Sequence, residues 1–162
     1  ELPALLADIF PLSTKREDTF VAGLSMGGYG AFKLALSRPD RYAAAASLSG
    51  ALDACQMVKE HDDPENPAWL AFMRTVFGDP EKVPGSEHDL FALAEKVSKR
   101  KVKPRLFQYC GTTDFLYADN IRFRDHVGGL GFDYTYEEDG GDHTWPYWDA
   151  VIQKGLAWWP RA

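Results

Sequence analysis

At 162 residues the chain has the length of one domain, and 45% apolar residues with five Trp, seven Tyr and ten Phe are enough for a sizeable core. A net charge of -6 argues against nucleic acid or an anionic membrane surface as partner. No apolar run reaches the length of a bilayer span, no stretch reads as a signal peptide, and two cysteines, Cys55 and Cys110, make no disulfide framework, so a cytoplasmic protein is expected.

In chain order, residues 2–10 are amphipathic, with Pro3 at a position that suits a helix start. Residues 19–24 form an apolar run that predicts a buried strand. It leads directly into Gly23-Leu24-Ser25-Met26-Gly27, and residues 26–37 then predict a helix closed by Arg38-Pro39-Asp40. Residues 42–48 are small and apolar, a second buried strand ending at Ser49-Gly50.

The stretch from about 51 to 103 breaks this rhythm and holds no strand pattern. A helix is predicted over 68–77, where Trp69, Phe72, Met73, Val76 and Phe77 fall at helical spacing, and another near 90–98 that closes on the solvated basic run Lys99-Arg100-Lys101. Two readings of this excursion stand side by side. It is a helical cap that shapes an acyl or alcohol pocket, or it is ordinary packing between two strands. The sheet then resumes at 105–109, with a helix over 121–127 ending at Gly128-Gly129, a strand at 132–137, and a last helix carrying Trp145, Trp148, Trp158 and Trp159. Alternating strands and helices predict an α/β fold, with a mostly parallel sheet and flanking helices, as a single domain over 1–162 with the excursion at 51–103.

Chemistry points to the turn at Ser25. A Gly-x-Ser-x-Gly turn between a strand and a helix is so tight that only small residues fit beside the serine, and it holds the hydroxyl out at the top of the sheet. The amides that open the next helix, Met26 first, point positive dipole at the same place and make an oxyanion donor. The competing account, a serine that only caps the helix, is outweighed by partners that follow in the required order: nucleophile, acid, histidine. Asp114 lies just past the apolar strand, at the carboxyl end where open α/β sheets place working groups. Asp119 falls inside the next helix, Asp139 lies nearer the histidine in sequence, and Asp142 adjoins it so that the side chains diverge. His143 sits in the glycine-rich loop Gly140-Gly141-Asp142-His143 that opens the last helix. His61, His88 and His126 read as solvated surface. His61-Asp62-Asp63 has no second ligand cluster at a metal-site spacing, so no metal is expected. Leu24 and Trp145 are the expected pocket residues, and Cys110 reads as a buried thiol.

Gly23-Leu24-Ser25-Met26-Gly27-Gly28-Tyr29-Gly30-Ala31, Cys110-Gly111-Thr112-Thr113-Asp114-Phe115-Leu116-Tyr117 and Gly141-Asp142-His143-Thr144-Trp145 together resemble the esterase D group of α/β-hydrolases. That group includes S-formylglutathione hydrolases and bacterial tributyrin-type acetylesterases. Leu2-Pro3, the lead-in Arg16-Glu17-Asp18-Thr19-Phe20 and Trp148-Asp149 are closer to the tributyrin branch. The resemblance spans nearly the whole chain, weakly over 51–103. It implies the α/β-hydrolase fold and a cofactor-free serine carboxylesterase for short acetyl- or butyryl-type esters. Ser25 would be the nucleophile, Asp114 the acid and His143 the base. Alternatives within the resemblance are a thioesterase of the S-formylglutathione type, an acyl transferase, or a catalytically idle fragment. Family members carry several more N-terminal strands, one of whose loops supplies the second oxyanion donor. This chain is therefore expected to be a C-terminal portion whose strand 19–24 lies at a sheet edge. Such an edge is an aggregation hazard, so pairing with a second copy or with a missing N-terminal segment is expected.

Overall fold

The computed structural model describes residues 2–60 and 67–159. Its elements in chain order are α1 (Leu2–Ile9), β1 (Phe20–Leu24), α2 (Met26–Ser37), β2 (Ala44–Leu48), α3 (Ala54–Glu60), α4 (Pro67–Phe77), α5 (Leu90–Ser98), β3 (Arg105–Gly111), α6 (Tyr117–Gly128), β4 (Tyr134–Asp139) and α7 (Trp145–Trp158). The four strands form one parallel sheet in the order β1-β2-β3-β4, with Ala45 opposite Val21 and Leu106, and Phe107 opposite Ala46 and Thr135.

Strand order equals chain order, so right-handed crossovers stack the connecting helices on one face. Phe32 and Leu36 of α2, Leu90 and Val97 of α5, and Phe123 and Val127 of α6 pack there against Ala45 and Leu106. The last helix crosses to the other face, where Trp148 and Val151 of α7 cover Ala46, Leu48, Phe107 and Tyr109. Alanine is a weak strand former, yet Ala44, Ala45 and Ala46, the first three residues of β2, are fully buried. Their small side chains let helices close in from both sides. Burying Phe32 and Phe107 completely contributes about 1.5–3 kcal/mol each.

Local signals account for the helix boundaries. Asp89 caps α5 by accepting from the amides of Phe91 (2.9 Å) and Ala92 (3.2 Å), and the apolar positions Leu90, Leu93, Ala94 and Val97 turn one stripe inward. The excursion holds no strand among the described residues. It adds α3, which the pattern of residues did not predict, and α4 buries Met73 and Phe77 in the core beside Tyr29 and Val58 while Trp69, Phe72 and Val76 stay partly exposed. His61, Asp62 and Asp63 lie outside the described residues.

Three expectations are corrected. The last strand runs two residues later than the predicted 132–137, because Phe132 packs into the core and the ladder begins with Leu106 opposite Tyr134. His88 is half-buried rather than solvated: its ring meets Phe77 edge-on at 5.6 Å and its Nδ1 accepts from Lys33 Nζ at 2.9 Å. His126 is likewise half-buried, tilted against Phe91 with Nε2 3.2 Å from the Phe91 carbonyl. β1 does lie at a sheet edge, and α1 buries none of its residues, leaving Leu2, Leu5 and Ile9 exposed.

Candidate active site

The loops after β1, β3 and β4 meet at the carboxyl end of the sheet. Ser25 occupies the first of them with φ 54° and ψ -124°, a conformation that costs a non-glycine residue about 1–3 kcal/mol. Its backbone is held there from several sides. The Ser25 amide donates to the Leu48 carbonyl at 2.9 Å, and the Ser25 carbonyl accepts from Gly28 (2.9 Å), Ala51 (3.2 Å) and Tyr29 (3.3 Å). The crowding is one-sided, contrary to the expectation of tightness on both flanks. A Cβ on Gly23 would strike the backbone of Gly27, whereas one on Gly27 meets nothing within 4 Å. Gly28 is also required, since a Cβ there would sit 2.6 Å from Ser47 Oγ and 2.9 Å from Gly50 Cα. Met26 opens α2, so its amide has no intrahelical acceptor and faces outward at the positive end of the helix.

Asp114 lies three residues beyond β3 with a fully buried side chain. Its Oδ1 accepts from the Leu116 amide at 2.8 Å, and the His143 Nδ1–H lies 3.0 Å from Oδ1 and 2.9 Å from Oδ2. A carboxylate only accepts, which assigns the proton to Nδ1 and leaves the Nε2 lone pair free. Nε2 is 3.0 Å from Ser25 Oγ. The geometry is that of a hydroxyl hydrogen-bonded to a base whose other nitrogen is oriented by a buried acid. It suits removal of a proton from Ser25 as the oxygen attacks an electrophile.

The other carboxylates are engaged elsewhere. Asp119 pairs with Arg122 at 2.6 Å, and burial pushes its carboxyl above the usual range. Asp139 accepts from the hydroxyls of Tyr109 (2.5 Å) and Tyr147 (2.7 Å), the Tyr109 bond being the chief cause of its lowered pKa. Asp142 accepts from the His143 amide at 2.7 Å, so its side chain serves the backbone and not the ring. Burial pushes the Cys110 thiol up to about 12 and that of Cys55 also to about 12, which keeps both protonated and unreactive.

Leu24 and Trp145 do share a cavity, of about 270 Å³, walled also by Leu48, Trp148 and Ile152, with Asp149 among its lining. None of its walls comes from the described part of the excursion. Two aromatic contacts to His143 were not read from the sequence as site features. The rings of Phe115 and Trp148 lie 4.5 and 4.6 Å from the imidazole, centroid to centroid. The available signals were an aromatic directly after the acid and a Trp one turn into the helix that follows the histidine.

A parallel sheet with helices on both faces, and a serine on a strained strand-to-helix turn at its carboxyl end, define an α/β-hydrolase. The chain belongs to the Esterase family, whose model, described as "Putative esterase", matches residues 1–159. It is similar to an acetyl esterase of Caldicellulosiruptor saccharolyticus, with 35% identity over 160 residues that make up 98% of this chain and 60% of that protein. Among solved structures it resembles the S-formylglutathione hydrolase FrmB of Staphylococcus aureus, at 37% identity and a TM-score of 0.80 over 97% of this chain and 60% of that one. It also resembles FphF, a fluorophosphonate-binding serine hydrolase of the same organism, at 36% identity and a TM-score of 0.85 over 99% and 61%. The chain thus spans about 60% of the length of these relatives.

Proposed function

We propose that this chain carries the acyl-transfer site of a serine carboxylesterase for short acyl esters. The observation that carries the reading is the continuous contact from Asp114 through His143 to Ser25 Oγ. Ser25 Oγ attacks the ester carbonyl while His143 Nε2 takes its proton. Asp114 keeps Nδ1 protonated and stabilises the imidazolium. The Met26 amide donates to the developing oxyanion. His143 then returns the proton to the leaving alcohol, and the acyl group stays on Ser25. Water, deprotonated by His143, releases the acid and restores the serine.

The likeness to an acetyl esterase supports a small acyl group. The likeness to an S-formylglutathione hydrolase favours a second reading, a thioester substrate cleaved by the same residues. Among the described residues β1 is the outer strand of the sheet, an edge open to a further strand.

A fluorophosphonate probe and a panel of acetyl, butyryl and S-formylglutathione substrates test the proposal on the full-length protein. Single labelling and turnover that both vanish in Ser25→Ala are expected. Labelling or full activity in that variant refutes the assignment, and a preference for S-formylglutathione over the oxygen esters selects the second reading.

A further inference from the structure

We infer that Phe115 is a positioning residue for His143, holding the imidazole in register during acyl transfer; this rests on His143 acting as the base. Phe115 directly follows Asp114, and its ring is 4.5 Å from that of His143 at an interplanar angle of 49°. The same ring is 74% exposed, so the core does not account for its position. Trp148 meets the imidazole from α7 at 4.6 Å and 85°. It is buried, stands perpendicular to Trp145 at 5.4 Å, and its Nε1 has no hydrogen-bond partner among the described residues. Packing alone therefore holds Trp148 against the histidine.

Both imidazole nitrogens are committed, Nδ1 to Asp114 and Nε2 to Ser25. What remains of the ring is its faces and carbon edges, and these are what the two aromatic side chains touch. The loop that carries His143 is anchored at Gly141, whose carbonyl accepts from Thr113, but that contact holds the backbone and not the imidazole. A ring rotation would break both nitrogen contacts at once, and Phe115 and Trp148 limit that rotation. The charged groups next to His143 are Asp114, on Nδ1, and Asp142, on its backbone amide. Both are unchanged in the variants below.

The test uses full-length protein, p-nitrophenyl acetate and three variants: Phe115→Leu, Phe115→Tyr and Ser25→Ala. An exposed side chain leaves the fold intact, which an unchanged melting temperature verifies. For Phe115→Leu, kcat is expected to fall about 10-fold with KM little changed, because the imidazole is held less closely. Phe115→Tyr keeps the aromatic ring and is expected to restore kcat. A Phe115→Leu enzyme with wild-type kcat overturns the inference. So does a loss confined to KM, which would make Phe115 a wall of the substrate site. Turnover in Ser25→Ala overturns the base assignment as well. Silence there beside an unaffected Phe115→Leu removes this inference alone.

Discussion

The ring of Tyr147 stands where a Cβ on Gly141 would have to go. From the other side, the Gly141 carbonyl accepts from the Thr113 amide at 3.1 Å and from Thr113 Oγ1 at 2.6 Å. The loop that presents His143 is thus clasped between α7 and the residue preceding Asp114. Gly141→Ala is expected to displace the loop and lower kcat by about 10- to 100-fold, the scale of a misplacement near 1 Å. Replacing Tyr147 by Ala in the same chain opens the space and is expected to recover part of that loss. Steady-state kinetics on the two variants, with Tyr147→Ala alone as reference, measure the coupling. Equal kcat in Gly141→Ala and the parent sinks the idea.

Asp114 is the carboxylate on the imidazole and Asp119 is not. Asp114→Asn preserves shape but no longer demands a proton on Nδ1. By analogy with the same change in serine proteases, kcat is expected to drop by about 10⁴-fold. Asp119→Asn is expected to leave kcat within a few-fold. Ester hydrolysis at neutral pH separates the two, and the reverse ranking would reassign the acid.

Much of the site was legible because its signals are steric and local. Gly23 answers to a clash with Gly27, and Asp114 and His143 follow strand ends in a parallel sheet. The order of elements came through for the same reason. What stayed hidden depends on residues far away in the chain. α3 is opened by Asp53, whose Oδ1 accepts from the Gln56 amide while Oδ2 pairs with Arg122 of α6. Nothing near residue 54 announces that partner. His88 looked solvated among charged neighbours, but Phe77 and Lys33 arrive from α4 and α2. Phe132 looked like the first residue of a strand because it is apolar. It is apolar because it packs, and the backbone ladder starts only at Tyr134.

His88 also makes a pH prediction. Lys33 donates to its Nδ1, so that nitrogen must be unprotonated. Burial first, and then the Lys33 charge, lower its pKa from the ordinary value of 6.5. A histidine lowered by folding binds fewer protons folded than unfolded. Its contribution is therefore complete above about pH 6.5 and is lost as the pH falls through the lowered folded value. His88→Gln still offers Lys33 an acceptor but does not titrate. Its melting temperature is expected to fall less than that of the parent between about pH 7 and pH 5. Parallel curves in a thermal unfolding series would show that His88 carries no such linkage.

The ladder that joins β2 to β3, from Ala44 opposite Arg105 to Leu48 opposite Tyr109, also fixes both ends of everything that lies between those strands. Segment 51–104 is therefore a closed circuit. Its span is set by the sheet and not by its own contents. Doubling such a segment costs only about 0.6 kcal/mol in closure entropy. Ser25, Asp114 and His143 all lie outside that circuit. A change in its length is expected to leave the reacting atoms where they are. The fold confines its cheapest changes in length to the one connection that does not carry a reacting group.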